Sequence, residues 1–306
     1  MPPHPATVLR VGTADIAEPG RVWVSLFGVP SVSVGGECLD VPEGSKRLLA
    51  FVCLCGRRIE RRRAAGVLWP DGDDVRAAGN LRSALWRLKG CGIDVVDSDK
   101  VLLWLRENAV VDVEVMQRWA TRLIASQPEP ADLDVRCWHA DQLELLPGWY
   151  DDWALFERER LRQLLLHALE AMAAQLIARD RAAEAVTVAL AAVAAEPLRE
   201  SAQHVLVDSH LAEGNLCEAR RAYEAYRVLA RRELGVEPGG SLRSAIASAG
   251  GDGTGPAAPP GSRPATARAV APRRAATPTA PRHPLQAVGQ AGPGARARGM
   301  GSEVVN

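Results

Sequence analysis

LWPDGDDVRAAGNLRSALWRLKG, residues 68–90, decides the fold of this chain. A short helix ends at Trp69-Pro70, because proline cannot continue the backbone hydrogen bonding. An acidic turn, Asp71 to Asp74, follows, and Asp73 or Asp74 is placed to cap the next helix, about Val75–Lys89. Along that helix Leu81, Leu85 and Leu88 recur at helical spacing and form one apolar stripe. Arg76, Asn80, Ser83 and Arg87 form a second stripe, within about 60° of one another at 100° per residue. An Asn amide can make two hydrogen bonds to an adenine edge, and an Arg fork can do so to a guanine. Such a stripe alone is ordinarily a solvated face, so the neighbouring elements decide its meaning.

Ahead of the segment, Val22, Val24 and Leu26 alternate, as do Val32 and Val34, and Gly35-Gly36 marks a hairpin into Glu37–Val41. Pro42-Glu43-Gly44 ends the sheet, and Ser45 is read as the cap of a helix over Lys46–Cys55 that Gly56 closes. A second helix spans Arg61–Leu68. Beyond Gly90, strands are expected at Ile93–Val96 and Val101–Leu105, with Asp97-Ser98-Asp99-Lys100 as the turn, and a further extended piece at Val110–Val113. A sheet, three helices and a closing hairpin make a winged helix with an extra N-terminal sheet. In that frame the third helix is a reader of DNA, with its polar stripe toward a groove wide enough for a helix.

Lys46, Arg61, Arg82, Lys89 and Lys100 are the candidate phosphate contacts, which position without specifying. The base contacts fall to Arg76, Asn80, Ser83 and Arg87. The densest basic run, Arg57-Arg58 with Arg61-Arg62-Arg63, is expected to face the DNA backbone in part.

After Val113 the pattern is helical: Met116–Ser126, Ala154–Arg179, Ala182–Ala195, Arg199–Glu213, Leu216–Leu234 and a short helix at Ser241–Ala249. Residues 181–185 align with 215–219 at an offset of 34, which sets Ala185 on Ala219, Ala173 on Val207 and Ala189 on Tyr223. A 34-residue period of paired helices is the tetratricopeptide signature. The fold class is therefore an α+β winged helix-turn-helix domain followed by an all-α, tetratricopeptide-like helical repeat domain. The expected division is a leader at 1–20, the winged helix at 21–112, the helical domain at 113–249 and a Pro/Gly/Ala/Arg-rich tail at 250–306, the leader and tail reading as disordered.

Charge divides along the same lines. The chain of 306 residues is neutral, but residues 21–112 carry +2, residues 113–249 carry −6 and the tail carries +5. A mildly basic first domain is compatible with nucleic acid, and the acidic helical part is not a nucleic-acid surface. No apolar run reaches the ~18 residues of a membrane span. None of the six cysteines forms a CxxC pair, and a reducing cytoplasm fits them. Enzyme signatures are missing: Gly44-Ser45-Lys46 resembles the end of a P-loop, but Leu39 stands where the first glycine belongs. No catalytic residue, metal or cofactor is expected.

Four stretches carry a family resemblance: SKRLLAFVCLCGR at 45–57, LWPDGDDVRAAGNLRSALWRLK at 68–89, LLPGWYDDWALFERERLRQLLLHALEAMAAQL at 145–176 and EPLRESAQHVLVDSHLAEGNLCEARRAYEAYRVLARRELGVEP at 196–238. The first domain resembles the OmpR-type winged helix. Residues 22–248 as a whole are similar to the SARP-type regulators, which join it to a bacterial transcriptional activator domain (BTAD). The resemblance implies an activator that binds double-stranded DNA and recruits RNA polymerase. It places polymerase contacts on Asp71, Asp73 and Asp74, and it implies no control by aspartyl phosphate. The acidic wing turn departs from the pattern. The repeats suit protein binding, either a second protomer in a homodimer or polymerase. Two alternatives stay open: an adaptor whose repeats are the working part, and a ligand sensor with a pocket among Trp149, Tyr150 and Trp153.

Overall fold

In the computed structural model, the residues described are 20–56, 58–135 and 144–251. Residues 1–19, Arg57, 136–143 and 252–306, and with them nearly all of the expected leader and tail, lie outside them.

The first sheet has the order β3-β2-β1-β7, with β1 at Val22–Ser25, β2 at Ser31–Val34, β3 at Glu37–Leu39 and β7 at Ala109–Val111. Gly35 and Gly36 join β2 to β3, with φ of 60° and 91°. A two-residue turn that needs positive φ at both positions is the kind whose twist matches its flanking strands, and glycine takes it without strain. Strand β1 pairs antiparallel with β2 and parallel with β7.

Three helices follow β3: α1 over Glu43–Cys55, α2 over Arg61–Leu68 and α3 over Asp74–Gly90. Ser45 does not cap α1. It lies inside the first turn, and its buried hydroxyl donates to the Ala84 carbonyl of α3 at 3.0 Å. The cap reading failed because a serine beside a turn looks the same whether it satisfies its own helix or a neighbouring one. Gly56 ends α1 in the left-handed conformation, as read.

The second sheet has the order β4-β6-β5, with β4 at Ile59–Glu60, β5 at Val96–Ser98 and β6 at Leu102–Leu105. Strand β5 ends two residues later than the sequence reading, since Asp97 and Ser98 belong to it, whereas β6 ends at Leu105 as read. The turn between them is fixed by Asp99, whose carboxylate accepts from the backbone amides of Val101 (2.7 Å) and Leu102 (2.6 Å). Strand β4 had no alternation to reveal it; only two residues pair, across from Leu103 and Leu102.

The helical part starts at once. Helix α4 spans Asp112–Ile124, a short 3-10 turn covers Pro130–Leu133, and then α5 (Asp152–Ile177), α6 (Ala182–Ala195), α7 (Glu200–Ala212), α8 (Leu216–Leu234) and α9 (Gly240–Gly251) stack in sequence. The 34-residue register corresponds to packing: Ala185 and Ala219 are both fully buried, as are Ala173 and Val207. Small side chains there let the paired helices approach closely.

One continuous apolar cluster runs from Val24 and Leu48 through Leu81 and Trp119 to Leu169 and Ala189, so both parts share a core. The joint is Asp112, the first residue of α4 and only 2% exposed. Its carboxylate accepts from the Ser25 hydroxyl (2.6 Å) and from the backbone amides of Leu26 (2.8 Å), Phe27 (3.0 Å) and Val113 (2.8 Å). It thereby ties the end of β1 to the start of the helical part. Burial pushes this carboxyl up to about 6, against the pull of those four donors.

Candidate nucleic-acid interface

Helix α3 is anchored before it is exposed. Asp73 caps it by accepting from the Arg76 amide at 2.7 Å, so this acid is committed to the helix start. Ala77, Leu81, Ala84, Leu85 and Leu88 are buried against α1 and α2. The two alanines widen the buried arc toward the polar stripe. At 100° per residue Asn80 falls at its margin, and it is half-buried, whereas Arg76, Ser83 and Arg87 are exposed. The Arg87 guanidinium also donates to the Gly44 carbonyl in the first turn of α1, at 3.3 Å.

The centre of the exposed arc lies elsewhere. Val75 and Trp86 are 78% and 76% exposed, and Gly79 lies between them on the same face. Sequence reasoning missed this ridge. Its signal was available: the stripe opposite Ala77 and Ala84 runs through Val75, Gly79 and Trp86, but an apolar residue on an amphipathic helix is read by default as core.

Three of the candidate phosphate contacts come together. Arg61, Arg82 and Lys100 line a cleft of about 570 Å³ between α2, α3 and the β5–β6 turn, together with Arg62 and Arg63 and with two acids, Glu60 and Asp74. The start of α2 is pinned to the wing, because the Arg61 amide donates to the Val101 carbonyl at 2.8 Å and its guanidinium to the Asp99 carbonyl at 3.3 Å. Lys89 is exposed in the last turn of α3. Lys46 stands apart on α1, paired with Glu43 at 2.6 Å and with its side chain 19% exposed.

The acidity of the wing is largely occupied. The backbone amides of Leu102 and Val101 hold the Asp99 carboxyl below its ordinary value. Arg106 lies 2.8 Å from Asp94 and 3.8 Å from Asp97. In the turn before α3, Asp74 pairs with Arg62 at 3.0 Å between exposed side chains, and Asp71 is exposed.

Helix α1 connects this surface to the helical part. Its Arg47 bonds the Asp151 carboxylate just before α5. Its Phe51 meets Trp153 edge-on at 5.4 Å, and Trp153 meets Trp149 in the same manner at 6.1 Å. The Arg158 guanidinium holds the intervening turn by donating to the carbonyls of Leu145, Leu146 and Trp149. The aromatics therefore pack α1 against α5. Tyr150 is 81% exposed and lies outside that cluster.

Among the described residues, no helix is long and apolar enough to cross a membrane, and no group of three or more His, Cys, Asp or Glu is placed to hold a metal ion.

Comparison with known proteins bears out the helical part of the family resemblance. Residues 114–248 match the family described as Bacterial transcriptional activator domain. No curated protein matches the chain. Among solved structures, Mycobacterium tuberculosis EmbR in complex with a low-affinity phosphopeptide superposes with a TM-score of 0.59 at 19% identity, covering 75% of this chain and 65% of that one. The chain thus spans 65% of the length of EmbR, and at that identity the likeness speaks for the fold.

Proposed function

We propose that the chain, with a bacterial transcriptional activator domain behind a winged helix, is a SARP-type transcriptional regulator that binds double-stranded DNA sequence-specifically and activates transcription by recruiting RNA polymerase. Helix α3 enters the major groove, and Arg76, Asn80, Ser83 and Arg87 meet base edges. Arg61, Arg82 and Lys100 hold phosphates on one side of the groove, with Lys89 and Lys46 on flanking backbone. The observation that carries this reading is the cleft in which Arg61, Arg82 and Lys100 converge beside the exposed face of α3. We draw the division between DNA-binding and helical domains at Asp112, where one carboxylate serves both.

The helical domain supplies the protein contacts, to a second protomer or to polymerase. Leu190, Val228 and Leu234 are exposed apolar side chains on its helices and suit such a surface. Of the three acids before α3, Asp71 is the one left for polymerase, since Asp73 caps the helix and Asp74 pairs with Arg62.

Fluorescence anisotropy of a labelled duplex, titrated at several salt concentrations, tests the reading. Five phosphate contacts predict that log K falls against log salt with a slope of about −4 to −5. An adaptor whose winged helix binds only protein would show no duplex binding at any salt.

A further inference from the structure

The exposed ridge of α3 carries two large apolar side chains, Val75 and Trp86, with Gly79 and Arg82 between them, where a DNA-reading helix is ordinarily polar. Val75, Gly79 and Trp86 lie within about 40° of one another around the helix. A tryptophan that is 76% exposed leaves a large apolar surface in water, which marks a surface awaiting a partner. Gly79 adds a second, independent observation. It sits in the helix interior, where glycine is less favourable than alanine. Yet a Cβ built there would meet nothing nearer than an Arg82 guanidinium nitrogen at 3.9 Å. Among the described residues nothing requires the position to be bare, and the missing side chain leaves room for a partner to approach the helix backbone. Arg82, Ser83 and Arg87 surround Trp86 in a shallow depression, and Arg76 stands beside Val75 at the other end of the ridge, so the partner that reaches the ridge is polyanionic.

We propose that Val75, Gly79 and Trp86 are specificity-determining residues that read the 5-methyl groups of thymines in the major groove. This rests on the DNA-binding reading above. The thymine methyl is the one apolar group that base pairs present in the major groove, and it distinguishes T·A from the other pairs. Val75 and the Trp86 indole bury methyl groups, and the bare Gly79 lets the bases approach the helix backbone closely enough for both contacts.

The test begins with duplexes enriched by the full-length chain from a random-sequence pool. In each, single thymines are replaced by deoxyuridine, which removes the methyl and leaves the pairing intact. The expected result is that one or two replacements weaken binding about fourfold each, the effect of one buried methyl. Trp86→Ala should weaken binding to the thymine duplex and abolish the effect of at least one replacement. Gly79→Ala should raise the melting temperature and yet weaken DNA binding, a pairing that a structural role for the glycine would not give. Enriched duplexes that bind equally well with deoxyuridine throughout overturn the proposal and leave DNA binding standing. So does a Trp86→Ala chain that keeps its DNA affinity but loses self-association, which would make the ridge a contact between copies. If no duplex is enriched, the DNA-binding reading fails and this inference with it.

Discussion

Asp112→Asn tests the joint between the two parts of the molecule, and its sign depends on pH. The carboxyl is buried among four donors and carries no cation among its hydrogen-bond partners, and burial raises it from 3.8 to about 6. A raised carboxyl pKa means that the folded state holds its proton more tightly than the unfolded chain. The contribution is therefore fully present below about pH 4 and is lost as pH rises through 6. The interval of about two units corresponds to about 3 kcal/mol. An Asn side chain resembles the protonated acid in shape but turns a second N–H toward backbone donors, which costs about 1 kcal/mol. Near pH 4 the variant should then be less stable than the wild type by about that amount. At pH 7.5, where the wild type bears the cost of a buried charge, the variant should be more stable by about 2 kcal/mol. Other carboxyls titrate identically in both proteins and cancel in the difference; Glu159, held near 2 by the Arg162 guanidinium, is one. Urea unfolding followed by Trp fluorescence, at pH 4 to 7.5 and extrapolated to water, measures the difference. A difference that is flat with pH, or an Asn variant that loses more at neutral pH than at pH 4, would show that the four donors outweigh burial and refute the argument.

Ser45→Ala removes the bond from α1 to the Ala84 carbonyl and should cost about 1 kcal/mol in the same unfolding assay, with no change in the far-ultraviolet circular dichroism of the folded protein. Trp153→Ala deletes the ring that Phe51 abuts and should destabilise the chain by about 3 kcal/mol while leaving the affinity for DNA at low temperature within about twofold, because the indole faces α1 and not α3. Arg82→Ala should lower the salt slope of DNA binding by about 1 and weaken all duplexes alike; a loss confined to one sequence would make Arg82 a base reader instead. Asn80→Ala should relax base preference in a selected pool, and Arg87→Ala should weaken binding.

Much of this architecture was legible as periodicity. Helices α2, α6 and α8 begin and end where their caps and apolar spacing put them, because Pro70, Glu196-Pro197 and Gly235 interrupt the pattern. The repeat register was legible because small residues at Ala185 and Ala219 are a steric requirement of the paired helices. What escaped were features set by distant partners. Ser45 bonds a carbonyl 39 residues away, Asp112 binds a strand end 87 residues before it, and β4 exists only through its pairing with β6. The acidic wing turn stood out as a departure from the family pattern because a sequence shows charge and not its partners: the Asp99 carboxylate accepts from two backbone amides of its own turn. On α3 the polar stripe was found, but the ridge of Val75, Gly79 and Trp86 was not, since only the packing of Ala77 and Ala84 shows which face remains outside.

The central claim, that α3 lies in a major groove, is tested most directly by dimethyl sulfate footprinting of the full-length chain on a duplex enriched from a random pool. The account predicts protection of guanine N7, the major-groove atom, within the enriched sequence, and loss of that protection in a protein carrying both Asn80→Ala and Arg87→Ala. A complex that leaves guanine N7 fully reactive while protecting adenine N3 in the minor groove would contradict it.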